Sequence, residues 1–149
     1  MAESTRSRRI EPIARIADHK EQLGVKEFAS RQEALAAQEL RLAELRAWWR
    51  DYADGMKNKR SPGGPGMLRD GRLFLAQLSG AIQRQQEVVE QARMELEAAR
   101  ARWLALRMDH EALEKVVARC RDEEEREARR SEQREQDECA ARATAARPL

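Results

Sequence analysis

Between Leu68 and Cys120, side chains fall on two rows of period seven that only another helix can cover. One row reads Leu68, Leu75, Ile82, Val89, Leu96, Trp103, His110 and Val117. Its companion, three residues on, reads Gly71, Leu78, Gln85, Ala92, Ala99, Leu106, Leu113 and Cys120. Alternating steps of four and three keep every member on one face of a helix, and the pattern lasts for more than seven heptads. Such a seam excludes a strand over the same stretch. Gln85 and His110, its polar members, read as devices that fix register. Beyond Cys120 the rows give Glu124, Glu127, Ser131 and Arg134, and the seam stops.

The covering helix lies earlier in the chain. Phe28, Leu35, Leu42, Trp49 and Met56 follow one another at steps of seven, with Gln38, Leu45 and Tyr52 on the companion row. Nearer the N-terminus, Ile13, Ile16 and Leu23 belong to a frame displaced by one residue. That drift is the one a straight helix of about 3.6 residues per turn needs to keep facing its partner, so supercoiling is expected to relax there. Glu11-Pro12 suits a helix start with Pro12 in the first helical position, where a missing N–H costs nothing. Asn58-Lys59-Arg60-Ser61-Pro62-Gly63-Gly64-Pro65-Gly66 is the strong breaker cluster.

The expected fold class is therefore all-α, two long helices in an antiparallel coiled-coil hairpin, the second longer than the first. Its parts are a flexible basic N-terminus (1–10), helix 1 (11–57), a Pro/Gly turn (58–67), helix 2 with a C-terminal overhang (68–143) and a tail (144–149). At about 1.5 Å per residue the helices measure about 70 and about 110 Å. Folding at the turn pairs Met56 with Leu68, Trp49 with Leu75, and Ile13 with the region of Leu113. The overhang, with its Asp122-Glu123-Glu124-Glu125 run, depends on i,i+4 charge pairs such as Glu125–Arg129.

Composition closes off other classes. Charged residues make up 38% of the 149-residue chain and aromatics 4%, with a mean hydropathy of −0.87. This leaves too little for the thick core of a barrel, a doubly wound sheet or a sandwich. Basic residues number 29 against 27 acidic ones, a net charge of +2. A phosphate-binding surface wants a clear basic excess, and Arg6-Ser7-Arg8-Arg9 reads as a solvated terminus, so no nucleic-acid partner is expected. Cys120 and Cys139 stand about 28 Å apart along one helix, too far for a disulfide. With no CxxC, and with His19 and His110 far from both thiols in sequence, no metal site is expected. There is no membrane-spanning run and no signal-peptide core, so the chain is expected to be cytosolic.

Catalysis is not expected either. Pro62-Gly63-Gly64-Pro65-Gly66 lacks the Lys-Ser/Thr ending of a phosphate-binding loop and follows no strand. Neither histidine has a nucleophile placed beside it, and a two-helix hairpin offers no concave pocket. No cofactor is implied.

The aromatics carry the functional signal. Trp48, Trp49, Tyr52 and Phe74 are four of the chain's six aromatics and flank the turn. Trp48 and Phe74 sit one position before the a row, at g, and antiparallel g positions share an edge. The pairing sets Trp48 opposite Gln77 and Tyr52 opposite Leu73, so one edge gathers Leu45, Trp48, Tyr52, Phe74, Leu78 and Ala81. Trp49, at a, closes the hairpin end. Trp48 and Phe74 are too large for a two-helix seam to bury at g, and exposed aromatic patches mark partner sites.

Three stretches carry a resemblance: Leu45-Arg46-Ala47-Trp48-Trp49-Arg50-Asp51-Tyr52, Phe74-Leu75-Ala76-Gln77-Leu78-Ser79-Gly80-Ala81-Ile82, and Trp103 through Val117 with its Ala112-Leu113-Glu114-Lys115 core. With the hairpin pattern and the polar tail, the chain resembles the flagellar export protein FliJ family. The resemblance implies a cytoplasmic stalk of the flagellar type III export apparatus, similar to the γ stalk of rotary ATP synthases and peripheral to the inner face of the membrane. It implies three partners: the ring of the export ATPase FliI, the cytoplasmic region of the export gate protein FlhA, and export chaperones. The family's gate-contacting residues match here as Leu45, Trp48, Tyr52, Phe74, Leu78, Ala81 and Gln85. Trp48 stands where a tyrosine is usual, and Gln85 where a histidine can occur. The ATPase-facing end falls at Ile13, Ile16, Leu113 and Val117. The stalk of a virulence injectisome and a generic coiled-coil scaffold are the alternative readings.

Overall fold

Long runs of Ala, Leu, Glu, Gln and Arg without a β-branched cluster favour helix over every alternative, and the chain forms two. The computed structural model describes residues 5–58 and 65–147. Helix α1 spans Arg6–Asn58 and helix α2 spans Pro65–Ala145, with no strand among the described residues. The heart of the Pro/Gly turn, residues 59–64, lies outside the described residues, as do 1–4 of the N-terminus and 148–149 of the tail. The helices form two compact units. One is Leu23–Trp103, the other the described residues of Met1–Gln22 and Leu104–Leu149.

In the first unit the seam is the one the heptads specify. Gly71, Gln85, Val89 and Ala99 on α2, with Leu42 and Leu45 on α1, are buried. Phe28 stacks on Trp103 with ring centroids 5.6 Å apart and planes at 19°. The Trp49 indole N–H donates to Ser79 Oγ at 3.0 Å. Buried Gln85 donates through Nε2 to both the Gln38 carbonyl (3.0 Å) and Gln38 Oε1 (2.8 Å), so its amide is satisfied across the seam. Ion pairs Arg31–Glu95 (2.8 Å) and Arg102–Glu27 flank the apolar rows. The seam is shallow: no large side chain among the described residues is buried completely.

The register differs from the expected one near the turn. Met56 packs over Gly71, where an added Cβ would stand 2.7 Å from its Cε, and Leu68 is left exposed. A seam glycine leaves a hole and the flexible thioether fills it. The pairing slides accordingly, and Trp49 reaches Ser79 rather than Leu75.

The second unit corrects the expected frame of α1. Steps of seven back from Phe28 arrive at half-buried Glu21, half-buried Ala14 and buried Ser7, so there is no displacement. Ile13 and Ile16 turn outward, 53% and 56% exposed, and Leu23 in the first unit does the same. Polar contacts hold this rotation: Ser7 with Glu124, Glu11 with Arg121, and Glu21 with His110. They also set Ile13 level with residues near Ala118 rather than Leu113. On α2, Val117 and Cys120 are buried as the rows require.

Helix α1 also begins earlier than Pro12 suggests. Arg6–Glu11 are helical, and Pro12 lies inside the helix, where it removes one backbone bond at a usual cost of about 3 kcal/mol. The offsetting contact comes from α2. The Ser7 N–H donates to Glu124 Oε1 at 2.9 Å and the Ser7 hydroxyl to Oε2 at 2.7 Å, so a carboxylate caps the positive end of the helix. Those bonds, the backbone one first, hold the Glu124 carboxyl below the usual carboxylate range. The segment expected to be flexible is thus, from Arg6, the capped first turns of α1.

Beyond Glu124 every described residue of α2 is exposed, yet the helix continues to Ala145. It carries Arg126–Asp122 at 3.0 Å and Arg129–Glu125 at 4.0 Å. Among the described residues no helix is long and apolar enough to cross a membrane.

Burial contrasts two leucines on opposite faces of α1, Leu42 at 8% exposure and Leu40 at 62%. Leu42→Ala should lose about 2–3 kcal/mol, the low end for a buried leucine because the seam is thin, and Leu40→Ala less than about 0.5 kcal/mol. Urea unfolding followed by helix signal checks this; equal losses would contradict the observed rotation of α1.

A candidate partner surface beside the turn

The last turns of α1 and the first of α2 assemble the aromatic edge within the first unit. Tyr52 packs on Phe74 with ring centroids 4.7 Å apart and planes at 54°, a tilted pair that aromatic quadrupoles favour. Both rings stay open to solvent, Tyr52 at 41% and Phe74 at 46%, and Trp48 one turn earlier is 59% exposed. Trp48, Asp51, Tyr52, Phe74 and Leu78 line a shallow groove between the helices. Tyr52 meets Phe74 rather than lying beside Leu73, which is 56% exposed, in keeping with the slide that Met56 and Gly71 impose.

The remaining members of the expected patch divide by depth. Leu78 and Ala81 are half-buried, whereas Leu45 and Gln85 are buried, with Gln85 committed to Gln38. A partner docking here would touch Trp48, Tyr52 and Phe74 over a floor of Leu78 and Ala81. Leu45 and Gln85 support that floor from beneath. The four residues expected at the other end also separate. Ile13 and Ile16 face outward, Leu113 is half-buried, and Val117 is 7% exposed in the seam.

The second unit holds a cluster of charged groups around His110. His110 projects from its seam row between three carboxylates, with Nδ1 2.5 Å from Glu21 Oε2, and Nε2 3.0 Å from Glu114 Oε1 and 3.8 Å from Asp18 Oδ1. The Glu21 hydrogen bond, then the charges of Glu114, Glu21 and Asp18, raise the imidazole above its ordinary value against the opposing pull of desolvation. Ligand atoms of Asp18, Glu21 and His110 lie within 4.8 Å of one another, the one grouping among the described residues with the donors a metal ion would need. The sequence marked His110 and, through i,i+4 spacing, Glu114. It hid Asp18 and Glu21, because their orientation depends on the rotation of α1.

Against this geometry stands a family model described as Flagellar FliJ protein, which matches residues 6–149. No curated protein and no solved structure matches the chain.

Of the three tryptophans, Trp48 is the exposed indole, while Trp49 and Trp103 are half-buried. Trp48→Phe should therefore remove most of the fluorescence that acrylamide quenches readily. A larger loss of quenchable signal in Trp103→Phe would contradict the placement of the patch.

Proposed function

Because the chain belongs to the flagellar FliJ family, and so to the components of flagellar type III export, we propose that it is the stalk coupling the export ATPase to the export gate. The observation that carries this reading is the open aromatic groove of Trp48, Tyr52 and Phe74. Exposed aromatics on a helical surface are the usual anchors of a protein interface, since rigid rings bury much area at little entropic cost. The gate protein's cytoplasmic region docks there. Trp48, where the family usually has tyrosine, keeps a large amphipathic ring at the centre of the contact. Gln85 contributes indirectly, by holding α1 and α2 in the register that seats Tyr52 on Phe74.

The second unit supplies the contact with the ATPase ring. Ile13 and Ile16 offer the outward apolar face for it, and Leu113 and Val117 shape it from within. Helices α1 and α2 run through both units, so a change of state at one contact reaches the other through continuous backbone. Coupling then follows from different affinities of each partner for the states of the other. Export chaperones use the same chain on their way to the gate. The stalk works in the cytoplasm at the inner face of the membrane, held there by its partners rather than by insertion.

Purified chain should capture both the export ATPase and the cytoplasmic part of the gate protein. Trp48→Ala with Phe74→Ala should weaken gate binding by about tenfold or more while ATPase binding is kept, as expected for truncated anchors. Equal loss of both would sink the two-contact reading, and binding to neither would leave a plain coiled-coil scaffold.

A further inference from the structure

The arrangement around His110 has a property that stands apart from the proposed function. Both ring nitrogens face carboxylate oxygens, Nδ1 toward Glu21 and Nε2 toward Glu114 and Asp18. A neutral imidazole has one N–H and one lone pair, so in this setting the lone pair would point at a carboxylate. The imidazolium, with a donor on each nitrogen, satisfies both sides. Two of the carboxylates, Asp18 and Glu21, belong to α1, and His110 with Glu114 to α2. The protonated ring therefore bonds the two helices of the second unit together, and its side chain, 15% exposed, is sheltered enough for the charge to matter.

We infer that His110 is a proton-operated clasp, which holds the α1 segment before Leu23 against α2 while protonated and releases it when the proton leaves. The surrounding charges favour such a device. From α1, Asp18 and Glu21 face the ring and Arg15 lines the adjoining groove. From α2, Glu114 faces it, with Glu111 and Lys115 along the same groove. Glu111 is paired with Arg107 at 3.0 Å. Loss of the proton thus leaves three carboxylates around an uncharged ring.

Little apolar packing stands in reserve. On α1 the inward positions of this unit include Ser7, Ala14, Ala17 and one larger apolar side chain, half-buried Ile10, while Ile13 and Ile16 point away. Other cross-helix ties include the Ser7–Glu124 cap and the Glu11–Arg121 pair. The direction of control follows from linkage. A histidine whose folded value is raised stabilises the folded unit fully below its ordinary value of 6.5, and that stabilisation disappears as pH rises through the raised value. The clasp is shut on the acid side and open on the alkaline side.

The test uses the full chain carrying His19→Gln, so that one imidazole remains, in the presence of a chelator. Imidazole resonances and amide hydrogen exchange are followed from about pH 6 to about pH 9, the range over which a raised histidine titrates. His110 should titrate above 6.5, the ordinary value of a free imidazole. Across that titration, protection factors corrected for base catalysis should fall severalfold for residues 10–22 and 104–118, while those around Gln38 and Gln85 hold. His110→Lys keeps a cation throughout and should keep the protection at every pH, whereas His110→Gln should lack it at every pH. Titration at or below 6.5, or the same pH profile in His110→Gln, would overturn the inference. So would protection that collapses on chelation and returns with zinc ion alone, which would make the cluster a metal site.

Discussion

A buried amide contact pins α1 against α2 in the seam of the first unit, and Met56 over Gly71 sets the pairing from there to the turn. Gln85 donates twice to Gln38 across the seam of the first unit, and only one alignment of the helices lets both bonds form. A pair of leucines there would bury more apolar surface but tolerate a slide of one heptad, the usual exchange of stability for register at a polar seam position. With the register set, Met56 finds the hole at Gly71, Trp49 finds Ser79, and Tyr52 comes to rest on Phe74. The aromatic groove lies between these two contacts, the amide pair on one side and Met56 over Gly71 on the other.

The two units are held by different physics. The first relies on apolar layers, with Phe28 on Trp103 and Val89 and Ala99 almost fully covered. The second substitutes ionic and hydrogen-bonded ties for much of that packing, because over Ser7–Glu21 α1 presents Ser, Ala, Asp and Glu inward with Ile10 as the larger apolar side chain among them. Hydrophobic layers carry no titrating group and are not weakened by ionic screening, whereas partly exposed charge pairs respond to both pH and salt. A chain built this way keeps its aromatic surface steady while the segment bearing Ile13 and Ile16 remains open to adjustment.

How much of this was legible in the sequence follows from where the information lies. From Gly71 onward the α2 rows were readable, because each heptad position repeats the same instruction; Leu68, the first member, is the exception and lies exposed. The exposure of Trp48 and Phe74 was readable too, since g positions in a two-helix seam have nowhere to bury a ring. The start of α1 was not. Ile13, Ile16 and Leu23 imitate a seam, and Pro12 imitates a helix start, so local pattern pointed to the wrong face and the wrong residue. What overrides them is Glu124, 117 residues from Ser7 in sequence, together with Arg121 and His110. Only the folded register brings those groups into reach. The same long-range dependence concealed Asp18 and Glu21 beside the histidine.

The proposed partner surface is the ridge made by Trp48, Tyr52 and Phe74 in the first unit. The most direct measurement is amide exchange of the intact chain with and without the cytoplasmic part of the gate protein. Docking on this ridge should add protection over residues 45–52 and 74–81 and none over 6–22. Protection centred on the segment carrying Ile13 and Ile16, with residues 45–52 unchanged, would contradict it.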